Sequence, residues 1–222
     1  MPSAPQPVRE VVDLGEGACH LPGYLPAKAA SDLQQHLIHL CQDRWIVPVT
    51  PGGQTMSARQ MNLGPLGWVT DRRGYRYEPR HPVDGAAWPE MPPALIRIWN
   101  DLLPEAPSPE AGLVNLYGPT AKMGLHRDAD EAAKDVPILS VSFGAPGRFR
   151  LGGATRKGST RSIVLGHGDV LILAGPSRHF YHGIDRILLP SPLFAEDPHR
   201  LSLTLRRVTP STSEGTSEKL SS

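Results

Sequence analysis

From Gly112 onward the chain alternates with a period of two. The segments LVNLY, ILSVSF, RFRLGG, RSIVLG, DVLILAG and RLSLTLRRV alternate or run apolar over strand lengths, and Gly or Pro turns separate them. Successive residues of a strand face opposite ways, so such segments bury one face of a sheet and make poor amphipathic helices. Several short strands at this spacing predict an antiparallel sandwich or small barrel. No internal repeat of fixed period accompanies them. The 222 residues are enough for one domain with its own core, without disulfide or zinc staples.

The first half reads differently. PAKAASDLQQHLIHLC, from Pro26 to Cys41, sets Leu33, Leu37 and Leu40 on one face at helical spacing, with Pro26 near the start. A second helix is predicted from about Pro92 to Leu103, with Leu95, Ile98, Trp99 and Leu102 on its buried stripe. Between them, PVTPGGQTMSARQMNLGPLGWVTDRRGYRYEP is crowded with Gly and Pro and carries Trp68, Tyr75 and Tyr77 in short extended pieces, the pattern of loops and hairpins. The prolines of the N-terminus and the Ser/Thr run TPSTSEGTSEKLSS offer little to bury and read as tails.

A formal net charge of +1 selects no partner by global electrostatics, although basic residues outnumber acidic ones between Arg148 and Arg207. Arg148, Arg161 and Arg178 read as ordinary surface charge. The two cysteines, Cys19 and Cys41, have no C-x-x-C spacing and are expected to be reduced thiols. The N-terminus lacks a basic stretch followed by an apolar one, and no run approaches the ~18 apolar residues that a membrane span needs. A cytoplasmic protein without membrane contact is expected.

Chemistry concentrates in NLYGPTAKMGLHRDADE, which begins at Asn115. In an extended segment His126, Asp128 and Asp130 point the same way, so the stretch is either an exposed acidic loop or half of a metal site. SRHFYHGI offers His182 for the other half, and two imidazoles with one carboxylate leave iron enough open positions to activate oxygen beside a bidentate cosubstrate. His20, His36, His39, His81, His167 and His199 have no comparable partners and read as surface or locally satisfied groups. In HRLSLTLRR, Arg200, Ser202, Thr204 and Arg206 share one strand face. Two guanidiniums there suit a dicarboxylate such as 2-oxoglutarate, or they belong to a solvated edge strand that discourages aggregation. Asn115 and Tyr117 are again two apart and could add an amide and a phenol.

These pieces, in order from VTPGGQTMS through LGWVTDRRGYRYEP, WPEMP, NLYGPTAKMGLHRDADE, PILSVSFG and GHGDVLILAGPSRHFYHGI to RLSLTLRR, resemble the AlkB family of iron(II) and 2-oxoglutarate dependent dioxygenases, which dealkylate nucleic-acid bases. The resemblance covers residues 45 to 207. It implies a mainly β (α+β) fold: a double-stranded β-helix, or jelly roll, with two supporting helices and an N-terminal nucleotide-recognition lid. The implied division is a flexible tail over 1–12, helix and lid over 13–90, the jelly-roll core over 91–208 and a second tail over 209–222. The resemblance makes His126, Asp128 and His182 the iron ligands. Arg200 becomes the clamp for the distal carboxylate of 2-oxoglutarate with help from Tyr117, while Asn115 and Arg206 sit near the carboxylate that chelates iron. Ser202 stands where the family usually has asparagine, so that cosubstrate contact is shorter or bridged by water.

For substrate, the resemblance matches Trp68 to the aromatic that stacks on the flipped base opposite His126, although a Trp in such a segment also serves as a core anchor. It matches Tyr75 to a residue near the nucleic-acid backbone, Asp130 to the carboxylate that reads an exocyclic amine, and Arg156 to a basic residue at the lesion's rim. Gln54 replaces an aromatic of some relatives. The implied reaction uses Fe(II), 2-oxoglutarate and O2 to demethylate 1-methyladenine and 3-methylcytosine, releasing formaldehyde, succinate and CO2. The implied partner is alkylated single-stranded or flipped-base DNA, or RNA, and the chain is expected to act as a monomer. Two other readings use many of the same residues: an oxygenase for a small molecule or protein side chain, and a non-catalytic jelly roll holding a structural metal.

Overall fold

The computed structural model describes residues 10–188 and 199–210. Most of the two expected tails therefore lies outside the described residues. In chain order the elements are β1 (Val12–Gly15), β2 (Ala18–Leu21), α1 (Ala27–Cys41), β3 (Ala58–Leu63), β4 (Gly67–Asp71), β5 (Gly74–Glu78) and α2 (Pro93–Leu102). The second half adds β6 (Ala111–Tyr117), β7 (Met123–His126), β8 (Ile138–Gly144), β9 (Gly147–Leu151), β10 (Arg161–Leu165), β11 (Val170–Leu173), β12 (His182–Ile187) and β13 (Arg200–Arg206). Both helices lie within a residue of their predicted limits, because each begins behind a proline whose fixed φ and missing N–H suit a helix start.

A seven-stranded sheet runs β1-β2-β11-β8-β13-β6-β3, a four-stranded one runs β10-β9-β12-β7, and β4 pairs with β5 alone. All the pairings are antiparallel. The fold is the jelly roll that the strand pattern and the resemblance imply. Strands β1, β2 and β3 all precede residue 91 yet complete the larger sheet, so the jelly roll draws on chain from both sides of that expected boundary. The β1–β2 hairpin was not legible as strand, since its two short segments flank a turn in which Gly15, Glu16 and Gly17 all have positive φ. It is held through β2, which pairs with β11, and through His20, whose Nε2 lies 2.9 Å from Asp169.

The larger sheet separates two cores. Leu201, Leu203 and Leu205 of β13 join Val141, Phe143, Val170 and Ile172 beneath the helices, where Leu33 and Leu37 of α1 and Leu95 and Trp99 of α2 close the layer. On the other side Leu171 and Leu173 of β11 meet Phe149, Leu151 and Ile184 of the smaller sheet. The alternate residues of β13, from Arg200 to Arg206, share neither apolar layer and line a cavity on the smaller sheet's side. Where β12 crosses β7, a Cβ on Gly183 would stand 2.5 Å from the Met123 carbonyl oxygen, so the close approach of those strands requires glycine.

Leu203 is fully buried in the helix-side core. Leu203→Ala should lower the free energy of unfolding by about 2–5 kcal/mol, read from urea denaturation. Val164, exposed on β10, should give less than about 0.5 kcal/mol as the alanine variant.

Candidate active site

The register of two strands brings the predicted metal ligands together. In the β7–β12 pair His182 stands directly opposite His126, and the imidazole centroids lie 4.6 Å apart. Strand β7 ends at His126, so the extended segment assumed for Asp128 and Asp130 stops two residues before the first and four before the second. Asp128 is set instead by hydrogen bonds from two arginines. Arg206 donates from Nη2 to its Oδ2 at 2.8 Å, and Arg178 donates from Nη1 to its carbonyl oxygen at 2.8 Å. Its carboxylate oxygens lie 3.7 Å from His126 Nε2 and 3.8 Å from His182 Nε2. One ligand atom from each residue falls within 4.8 Å of the others, a span that one ion can bridge.

The protonation of the cluster fits a metal. Nδ1 of His126 and Nδ1 of His182 each face a backbone carbonyl, Gly124 and Phe180 respectively, at 3.0 Å. A carbonyl only accepts, so each Nδ1 carries the hydrogen, which leaves Nε2, on the side of Asp128, as the ligating atom. Burial, with the nearby His126, lowers the pKa of His182 to about 4, so its imidazole is neutral near pH 7. Burial alone would raise Asp128, but the Arg206 guanidinium foremost outweighs it and the carboxyl is held well below the usual carboxylate range. Two imidazoles presenting Nε2 and an ionised carboxylate are the donor set that a divalent ion binds.

A cavity of about 670 Å³ opens beside the cluster. All the site residues proposed from sequence line it: His126, Asp128 and His182; Asn115, Tyr117, Arg200, Ser202 and Arg206; Trp68, Tyr75, Asp130 and Arg156. Arg200 is 1 % exposed and has no acidic partner among the described residues. It donates to the Leu165 carbonyl at 3.0 Å and to Ser142 Oγ at 2.8 Å, while its Nε bonds to nothing. Burial lowers its pKa to about 10, with Tyr117 and Asp169 partly offsetting the loss, so it stays cationic at neutral pH. A buried guanidinium with a spare donor is a receptor for a carboxylate, and this fits 2-oxoglutarate. Gly147 makes the receptor possible, because a Cβ there would stand 2.9 Å from both Cδ and Nε of Arg200.

Several placements bring partners that the sequence did not suggest. Arg206 donates to the carboxylate of Asp128. Asn115 accepts a hydrogen bond from Gln60 Nε2 at 2.8 Å, a partner that sequence did not suggest. Trp68 stacks on Tyr75, with centroids 5.5 Å apart and planes 18° apart, and its indole N–H donates to Asp130 Oδ2 at 2.8 Å. Arg156 and Gln54 are exposed at the cavity. Arg178 is no surface charge: it is 2 % exposed and pairs with the equally buried Glu131 at 3.0 Å. Nothing in the spacing of Arg178 or Glu131 announces this, since their partners come from other elements.

Two histidines and one carboxylate inside a jelly roll, beside a buried carboxylate receptor, define a class: the non-haem iron oxygenases that take a 2-oxo acid. The 2OG-Fe(II) oxygenase superfamily matches residues 17–206. The alpha-ketoglutarate-dependent dioxygenase AlkB homolog of Caulobacter vibrioides is 51% identical over 159 residues, 71% of this chain and 72% of that protein. The alpha-ketoglutarate-dependent dioxygenase AlkB of Escherichia coli is 44% identical over 140 residues, 61% of this chain and 65% of that protein. A solved structure described as that of OsALKBH1 superimposes with a TM-score of 0.78 at 27% identity, over 89% of this chain and 100% of the other. The chain belongs to the AlkB family of 2OG-Fe(II) oxygenases, and it is an Fe(II)- and 2-oxoglutarate-dependent dioxygenase.

Asp128→Asn keeps the shape and removes the charge. It should weaken Co(II) binding by more than about 100-fold, beyond the loss typical of a change outside the ligand set. Titration of the ligand-field absorption checks this.

Proposed function

We propose that this enzyme demethylates N-alkylated nucleic-acid bases, with His126, Asp128 and His182 holding the iron and Arg200 holding the distal carboxylate of 2-oxoglutarate. One observation carries the reading: a single cavity joins the His-Asp-His cluster to an aromatic pair, Trp68 and Tyr75, and to the carboxylate of Asp130. Iron, 2-oxoglutarate and dioxygen supply the oxidation of the methyl carbon, which leaves as formaldehyde alongside succinate and carbon dioxide. Every other task falls to the chain's own side chains.

Tyr117, Asn115 and Ser202 lie with Arg200 on the cosubstrate side, and the Arg200 cation orients the dicarboxylate. Trp68 gives the base a face to stack on, worth about 1–3 kcal/mol, once the indole parts from Tyr75. Asp130 already accepts one hydrogen bond from Trp68 and has a second oxygen for an exocyclic amine. Methylation at adenine N1 or cytosine N3 leaves the base cationic, so an ionised Asp130 favours 1-methyladenine and 3-methylcytosine over neutral bases. Those lesions also block Watson-Crick pairing, which lowers the cost of drawing the base out of a duplex. Single-stranded DNA or RNA, or a duplex with the damaged base flipped, supplies such a target, with Tyr75 and Arg156 toward the backbone and the lesion's rim. We also propose that the enzyme acts as a monomer in the cytoplasm.

Mass spectrometry of a 3-methylcytosine oligonucleotide incubated with the protein, Fe(II), ascorbate and 2-oxoglutarate tests the proposal. The expected result is loss of one CH2, dependent on 2-oxoglutarate; succinate release that ignores the oligonucleotide would point instead to a small-molecule or protein substrate. Trp68→Ala should raise KM for the oligonucleotide by about 10-fold, the loss of a stacking contact, while leaving uncoupled succinate release. Arg200→Lys, which keeps the charge but loses the paired donors, should raise KM for 2-oxoglutarate by about 10-fold without weakening Co(II) binding.

A further inference from the structure

Four charged side chains meet behind the metal cluster, two acids and two guanidiniums. Glu131 and Arg178 are each 2 % exposed, and Arg206 is 5 % exposed. Arg178 fixes three places at once: Nη2 donates to Glu131 Oε2 at 3.0 Å, Nη1 to the Asp128 carbonyl oxygen at 2.8 Å, and Nε to the Val136 carbonyl oxygen at 3.0 Å. Arg206 Nη2 holds the Asp128 carboxylate, and its Nε lies 3.4 Å from Glu131 Oε1. Asp128 is thus gripped through both its side chain and its backbone. Glu131 supplies the negative charge beside both gripping cations.

The fifth member comes from elsewhere. Tyr77 of β5 donates its phenol hydrogen to Glu131 Oε1, and Arg206 Nη1 reaches the same phenol oxygen at 3.4 Å. Burial holds the Tyr77 phenol far above its ordinary range, so it remains a donor. Directly across the β4–β5 hairpin from Tyr77 stands Trp68. Among the described residues, the hairpin that carries the aromatic pair is thereby bonded, through Glu131, to the side chains that position Asp128.

We propose that Glu131, Arg178 and Tyr77 are positioning residues that couple the seat of the β4–β5 hairpin to the geometry of Asp128, so that base binding and metal binding strengthen each other. The inference rests on the proposed function, which supplies the base; the coupling itself follows from the hydrogen bonds. Two sites that bias one shared network must do so reciprocally. A buried carboxylate serving only as filler would stabilise the fold without linking the two.

Co(II) titration in the presence of 2-oxoglutarate, with and without a 3-methylcytosine oligonucleotide, measures the coupling. In the unsubstituted protein the oligonucleotide should tighten Co(II) binding by about fivefold or more. Tyr77→Phe, which removes one hydroxyl, should abolish that gain and raise KM for the oligonucleotide. Glu131→Gln should weaken Co(II) binding itself by about 10-fold. If Tyr77→Phe raises KM alone and leaves the Co(II) gain intact, the phenol merely supports the hairpin and the coupling is refuted. An unsubstituted protein that demethylates the oligonucleotide yet shows no gain refutes this inference alone; one that neither binds nor demethylates it refutes the proposed function as well.

Discussion

Antiparallel pairing of β7 with β12 sets His126 opposite His182, and the chemistry of this protein depends on that register. A slip of one residue would turn one imidazole to the opposite face of the sheet and dissolve the site. The crossing is tight enough that Gly183 cannot carry a side chain, so the same glycine that permits the approach also fixes it. Each imidazole is then locked by a carbonyl two residues earlier in the chain, which aims Nε2 before any ion arrives. The centre is organised by backbone, and the third ligand is organised by charge.

The larger sheet serves two purposes with one pattern. Odd-numbered β13 leucines pack under the helices, and the even-numbered Arg200, Ser202, Thr204 and Arg206 face the cavity. Hydrophobic burial on one face stabilises a sheet whose other face carries two buried cations. Those cations are costly to desolvate, and the structure treats them differently. Arg206 is matched by Asp128 and Glu131, whereas among the described residues Arg200 has only neutral acceptors and keeps a donor in reserve. The first holds the carboxylate of Asp128; the second is the receptor that the proposed function assigns to the cosubstrate.

Trp68, Tyr75 and Asp130 satisfy one another. Trp68 rests on Tyr75 and donates to Asp130, so the aromatic surface is partly covered and the carboxylate half occupied. In the proposed function a base replaces the Trp68–Tyr75 stack with one of its own, and Asp130 meets its positive charge. Selectivity for damaged bases would then follow from opening this closed arrangement together with what the cavity offers once it is open.

Sequence alone was sufficient for the two helices and for β6, β8, β9, β10, β11 and β13, and with the family resemblance it named side chains that line the cavity. Helical spacing of leucines behind a proline, period-two alternation, and motifs with fixed spacing are local signals, and local signals survive in one dimension. What it could not supply were relations between segments far apart in the chain. The β1–β2 hairpin gains its place by pairing with β11 and through the His20–Asp169 contact; Arg178 looks like any basic residue until Glu131 and the Asp128 carbonyl surround it; Gly147 looks like a turn until Arg200 fills the space beside it. The amino-acid order determined which side chains share a strand face, because alternation is built into the chain. Only the tertiary structure decided which faces meet and which buried charges find partners, because desolvation and strand register are settled between segments and not within them.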